Sequence, residues 1–187
     1  MKKRISLVLC AVAALIISSS FIFDGHKTLA IGSKAPDFSL PGVDGKTYTL
    51  ESFKSAKVLV IVFMCNHCPT SQAYEPRIIK LERDYAPKGV QVVGINPNNP
   101  SSLRLDELGY SDVGDSFPEM KIRAKDAGFN FPYLFDGDKE DAANKYGPVA
   151  TPHVFVFDQD RKLRSRAVLT IWRILPKHPP AMMHAMP

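Results

Sequence analysis

Val58-Leu59-Val60-Ile61-Val62-Phe63-Met64, followed at once by Cys65-Asn66-His67-Cys68-Pro69, is the stretch on which the fold turns. Seven uninterrupted apolar residues are what a central strand looks like when both of its faces are covered. Residues 69–86 then carry helical spacing, with Tyr74, Ile78, Leu81 and Tyr85 at i, i+4, i+7 and i+11. Proline is tolerated in the first turn of a helix, which suits Pro69. Pro76 falls inside the helical stretch and predicts a kink there. The cysteine pair therefore sits at a strand-to-helix turn.

Outward from that turn, β-type and α-type segments alternate. Val90 to Ile95 reads as a second buried strand, and 96–117 as a long polar loop with Pro97, Pro100, Gly109 and Gly114. Phe117 to Ala127 reads as a helix ended by Gly128, Tyr133 to Phe135 as a short strand, and Glu140 to Tyr146 as a helix stopped by Gly147. Val154 to Phe157 reads as a strand, with Asp158 to Asp160 turning into Lys162 to Arg164. Upstream, residues 38–40 and 48–50 flank Gly42-Val43-Asp44-Gly45 as a hairpin extension. This order predicts an α/β fold, a three-layer sandwich around a central mixed sheet.

The placement of Cys65 and Cys68 carries chemistry. A helix N-terminus presents unpaired N–H groups and the positive end of the helix dipole. A thiolate there is stabilised, and the thiolate is the nucleophile. Two intervening residues let the second sulfur close a disulfide with the first, and His67 adds a positive charge that favours thiolate. Zinc needs four ligands, and no second cysteine pair exists. A c-type haem needs His after the second Cys, where Pro69 stands. A structural disulfide would close only a tiny loop and stabilise little. Redox function is the reading that fits the pair.

The 187 residues suffice for one domain with a sizeable core, and 45% are hydrophobic. The net charge of +5 is misleading, because residues 1–30 carry +3 and 161–187 carry +6, which leaves 31–160 at −4. A body without a basic face argues against nucleic acid. The third cysteine, Cys10, lies in the leader. Residues 1–30 open on Lys2-Lys3-Arg4, continue apolar from Ile5 to Ile17, and offer small residues at Ser18-Ser19-Ser20 and Thr28-Leu29-Ala30. That is the pattern of a secretory signal peptide or an N-terminal anchor. Export places the pair where disulfides persist.

Residues 31–164 resemble the thioredoxin-like superfamily, in its alkyl hydroperoxide reductase/thiol-specific antioxidant branch of redoxin and peroxiredoxin-like proteins. Ala35-Pro36-Asp37-Phe38-Ser39-Leu40 with Asp44-Gly45-Lys46, the Phe63 to Pro69 turn, Ala150-Thr151-Pro152 and the hairpin Asp158 to Arg164 carry the resemblance. It implies that Cys65 attacks, that Cys68 resolves, and that Pro152 is a cis-proline presenting backbone to substrate, with Thr151 beside it tuning reactivity. Met64 departs from the usual Trp, and strand 58–64 lacks the buried carboxylate thioredoxins use for proton transfer. His153 follows Pro152 and could face Cys65, but it is read as a solvent-exposed loop histidine. A second alignment sets Cys68-Pro69 on the Cys-Pro of peroxiredoxins, with Cys68 peroxidatic and Cys65 resolving. The upstream proline would then fall at Ile61, and the family's late arginine is absent.

The tail, 165–187, departs from the family. No acidic residue follows Asp160, and His178, Met182, Met183, His184 and Met186 cluster there. A one-base slip across Ala167 to Ile171 permits Gly-Arg-Ile-Asp-Asp, which the family carries at that point. The tail from about residue 166 is therefore expected to be a frameshift product, with the C-terminal helix missing. Taken at face value, its soft ligands with Cys65 and Cys68 would make a copper(I)-binding protein. The expected function is exported thiol–disulfide exchange with a protein dithiol or disulfide partner and no cofactor. A hydroperoxide is the alternative substrate.

Overall fold

The computed structural model describes residues 27–102 and 114–170. Most of the leader and the His and Met residues of the tail read as possible copper(I) ligands lie outside the described residues, as does the segment where the C-terminal helix is expected to be missing. In chain order the elements are β1 (Ser39–Pro41), β2 (Thr47–Thr49), β3 (Val58–Phe63), α1 (Pro69–Tyr85), β4 (Val90–Asn96), α2 (Phe117–Asp126), β5 (Tyr133–Phe135), α3 (Asp141–Tyr146), β6 (His153–Phe157) and β7 (Leu163–Val168).

Five strands form one sheet in the order β5-β4-β3-β6-β7. β3 runs parallel to β4 and β4 to β5, while β6 is antiparallel to both β3 and β7, so the sheet is mixed. Alternation along β3 shows why its run had to be apolar throughout. Leu59, Ile61 and Phe63 face one core with Ala142 and Tyr146 of α3 and with Phe38, Leu40 and Phe53 of the N-terminal segment. Val60, Val62 and Met64 face the other core, with Tyr74 and Ile78 of α1 and Met120 and Ala124 of α2. These are the three layers of a thioredoxin-like α/β sandwich. α1 continues unbroken through Pro76 to Tyr85.

The β1–β2 hairpin is tied to the edge of the sheet, where the Val43 amide donates to the Tyr133 carbonyl at 3.0 Å. Gly147 caps α3 with φ +64°, and a Cβ there would lie 2.4 Å from the Lys27 carbonyl oxygen. Only glycine lets residues 27–29 pack so close, and the Leu29 amide bonds to the Tyr146 carbonyl at 2.9 Å. β7 runs on to Val168, with Arg166, Ala167 and Val168 paired to Phe155, Val154 and His153. Among the described residues no helix is long and apolar enough to cross a membrane.

Candidate active site

The site forms where β3 ends and α1 begins. Pro69 occupies the first helical position, so Cys68 is the N-cap residue of α1. Its sulfur is half-buried and lines an open cleft of about 420 Å³ with His67, Pro97, Asn98, Val149 and Thr151. Cys65 lies one turn of chain earlier and is 1% exposed. Both thiols are free, and each shifts the ionisation of the other. Thr151 touches both, with Oγ1 3.0 Å from Cys65 Sγ and its carbonyl oxygen 3.5 Å from Cys68 Sγ. The Thr151–Pro152 peptide is cis. The structure thus brings together Cys65, His67, Cys68, Thr151 and Pro152.

The two sulfurs differ in electrostatics. The hydrogen bond from Cys65 lowers the Cys68 pKa to about 5, against its partial burial and with help from the Ser71 and Thr70 amides and Thr151. Those amides are the unpaired donors of the α1 N-terminus. Cys65 moves the other way. Donating to Cys68, being buried, and facing the Asp115 carboxylate all hold it protonated, and its bond to Thr151 does not offset them. The pair is best described as one thiolate at Cys68 sharing the proton of Cys65.

Asp115 is the residue that sequence reading missed. It lies in the segment read as a polar loop, yet is 1% exposed. Its Oδ1 accepts the Asn66 amide at 2.6 Å, and its Oδ2 accepts Asn98 Nδ2 at 2.6 Å. Oδ2 also lies 2.6 Å from His67 Nδ1. Burial alone would raise this carboxyl, but His67, Asn98 and the Asn66 amide outweigh it and hold the pKa below its ordinary value. With Asp115 ionised, His67 Nδ1 must be the donor. Asn66 completes the lock: its Nδ2 donates to the Gly114 carbonyl at 2.6 Å and its Oδ1 accepts from the Tyr133 hydroxyl at 3.0 Å. The loop between the cysteines is therefore fixed by residues 48 and 49 positions away. The one local signal was the Ser116–Glu119 capping box of α2, which places Asp115 just before a helix start.

Donor atoms of Cys65, His67 and Asp115 lie within 4.8 Å of one another, the spacing a metal ion needs. The His67 and Asp115 donors are already engaged with each other. His153 corrects the sequence reading. It is not a solvent-exposed loop residue but the first residue of β6, 3% exposed. Its ring packs tilted against Phe155 with centroids 4.5 Å apart, and its Nδ1 accepts the Val149 amide at 3.2 Å. Burial, aided by Arg166, lowers its pKa, so it is neutral near pH 7.

A thioredoxin-like sheet carrying a thiol pair beside a cis-proline defines the class: this is a thioredoxin-like redox protein, an oxidoreductase. The model of the AhpC/TSA family matches residues 31–166, and the chain belongs to that family. It is 25% identical to a thiol-disulfide oxidoreductase ResA of Geobacillus thermodenitrificans, over 88% of this chain and 83% of that protein. It is 31% identical to a putative peroxiredoxin of Mycobacterium tuberculosis, over 60% of each chain. Among solved structures it resembles an uncharacterized conserved protein from Geobacillus kaustophilus, with 34% identity, a TM-score of 0.67, and coverage of 86% of this chain and 76% of the other.

Proposed function

We propose that this protein is an exported thiol–disulfide oxidoreductase in which Cys68 attacks and Cys65 resolves. These roles are the reverse of those the resemblance implies for the pair. The observation that carries the proposal is that Cys68, and not Cys65, caps α1 and opens onto the cleft. The Cys68 thiolate attacks one sulfur of a substrate disulfide, and the first substrate thiolate leaves. Cys65 loses its proton and attacks the Cys68 sulfur, a Cys65–Cys68 bond forms, and the second substrate thiolate leaves. Two electrons pass from the cysteine pair to the substrate, and no cofactor is needed. A partner dithiol re-reduces the pair, or the same steps run in reverse to oxidise a partner.

The cleft suits an extended segment of a protein substrate. Thr151, which precedes the cis Pro152, lines it together with Ala150 and His67. Stabilising the reduced thiolate makes the disulfide more oxidising. Export rests on the basic, apolar and small-residue pattern of residues 1–30.

Peroxide reduction is the second reading. Cys68 directly precedes Pro69 at a helix start and is ionised at neutral pH, as a peroxidatic thiol must be. Reduced Cys65→Ser protein separates the two readings. Exposed to glutathione disulfide, it is expected to lose the Cys68 thiol rapidly. Exposed to hydrogen peroxide, it is expected to lose that thiol no faster than an ordinary thiolate. Peroxide consumption far above that rate, with a sluggish response to the disulfide, would establish a peroxidase instead.

A further inference from the structure

Both sulfurs of the site rest against one short segment, Gly147-Pro148-Val149-Ala150-Thr151-Pro152, which leads from α3 into β6. Thr151 supplies the contacts, with its Oγ1 3.0 Å from Cys65 Sγ and its carbonyl oxygen 3.5 Å from Cys68 Sγ. Val149, Ala150 and Thr151 line the cleft, and Val149 is exposed. The segment lies outside helix and strand, so what holds it decides where this wall of the cleft stands. One end is tied to α3, where the Gly147 amide donates to the Ala143 carbonyl at 2.8 Å. The other is tied to the residue after β7, where the Leu169 amide donates to the Pro152 carbonyl at 2.9 Å.

Between those ends the Val149 amide is held by a side chain, donating to His153 Nδ1 at 3.2 Å. A ring nitrogen that accepts an N–H carries no proton, so His153 is the neutral tautomer protonated at Nε2. The ring is fixed in turn. It is buried, packs tilted against Phe155, and belongs to a residue paired with Phe63 of β3 on one side and Val168 of β7 on the other. His153 thus sits beside the end of the strand that carries the reactive turn, and reaches back to the wall that faces it. Arg166 of β7 is the charged group that bears on the ring, and like burial it disfavours a second ring proton.

Resting on the reading of the cleft as the seat of an extended disulfide substrate, we propose that His153 is a positioning residue for the reaction, its Nδ1 holding the Val149–Thr151 wall in place against the two sulfurs. It acts through the wall and not on the reacting atoms. A proton on Nδ1 turns the acceptor into a donor facing the Val149 N–H, and the bond is lost. The neutral ring, and the wall with it, is therefore in place at neutral pH and is released as pH falls through the lowered imidazole pKa. A substrate chain lying along Val149 to Thr151 feels that release, whereas a small disulfide that meets Cys68 alone does not. Thr151 also helps to ionise Cys68, but a change in that thiolate falls on both kinds of substrate alike.

Two disulfides sharing one coloured aromatic leaving thiol separate the wall from the nucleophile. One is built on an end-blocked cysteine peptide without Asp, Glu or His, the other on mercaptoethanol. The low-pKa aromatic thiolate leaves from both, and Cys68 ionisation cancels in the ratio of the peptide rate to the small-disulfide rate. In the wild type this ratio is expected to be constant above about pH 6.5 and to fall below it. His153→Phe keeps a ring against Phe155 and removes the acceptor. It is expected to lower the ratio about fivefold at pH 7, the size of one net hydrogen bond, and to abolish its pH dependence. His153→Asn sets a non-titrating acceptor near the Nδ1 position and is expected to recover most of the ratio, flat in pH. An unchanged ratio in His153→Phe, a His153→Asn no better than His153→Phe, or a wild-type ratio flat down to about pH 4.5 overturns the proposal. If His153→Phe does not fold, His153→Asn against the wild type across that pH range decides. Failure of both disulfides to react faster than with an ordinary thiolate would instead sink the oxidoreductase reading on which the proposal rests.

Discussion

Cys68→Ser protein is expected to lose reactivity toward a model disulfide by at least about 10³-fold, while Cys65→Ser still reacts once and stalls as a mixed disulfide. The reason lies in ionisation and access together. Cys68 is a thiolate at neutral pH because Cys65 and the α1 amides stabilise its charge, and its pKa of about 5 leaves it almost wholly ionised at pH 7. A serine hydroxyl at that position stays protonated and does not attack sulfur. Cys65 does not substitute for it, since burial and the Asp115 carboxylate keep it a thiol and the cleft wall is formed by Cys68. Timed release of a coloured thiolate from both variants checks this. Rapid release from Cys68→Ser would reverse the assignment.

The largest effect on stability is expected at Phe155. This side chain is fully buried in β6, packed edge-on against Phe63 and Tyr146 at 5.7 and 5.8 Å, and tilted against the His153 ring. Phe155→Ala removes a ring from the layer between the sheet and α3, and the surrounding aromatic side chains cannot collapse into the space. Truncating a buried Phe to Ala costs about 3–5 kcal/mol. Domains of this kind are stable by only about 5–15 kcal/mol, so the variant is expected to lose a large part of its margin. Denaturant unfolding, followed at equilibrium, measures it. The Cys65–Cys68 turn stands on the same strand pairing, with Phe63 opposite His153. A loss of unfolding free energy of less than about 1 kcal/mol would show that β6 contributes little to the core.

How much of this was legible in the sequence depends on the range of the interactions. The seven apolar residues at 58–64 specified a strand covered on both faces, and β3 divides its side chains between two cores. The helical spacing of Tyr74 and Ile78 placed α1 over one of them. These are local patterns, and local patterns are what periodicity reports. Asp115 was not legible because its role is set by contacts 17 to 49 residues away, with Asn98, His67 and Asn66. A lone aspartate in a polar stretch carries no sign of burial. His153 misled for the same reason: a polar residue at a strand end reads as exposed until Phe155 and the Val149 amide are seen to satisfy it. The distinction between the two cysteines was within reach. Proline favours the first helical position, so Pro69 already pointed to Cys68 as the N-cap.

The most direct test of the central claim is to treat the reduced wild-type protein with less than one equivalent of iodoacetamide at pH 6 and map the label by mass spectrometry. Label is expected on Cys68 and none on Cys65. The rate is expected to be flat above pH 6 and to fall tenfold per unit below about pH 5, because the thiolate is lost as pH drops through the lowered pKa. Label appearing first on Cys65, or a midpoint near the ordinary thiol value of about 8.5, would contradict it.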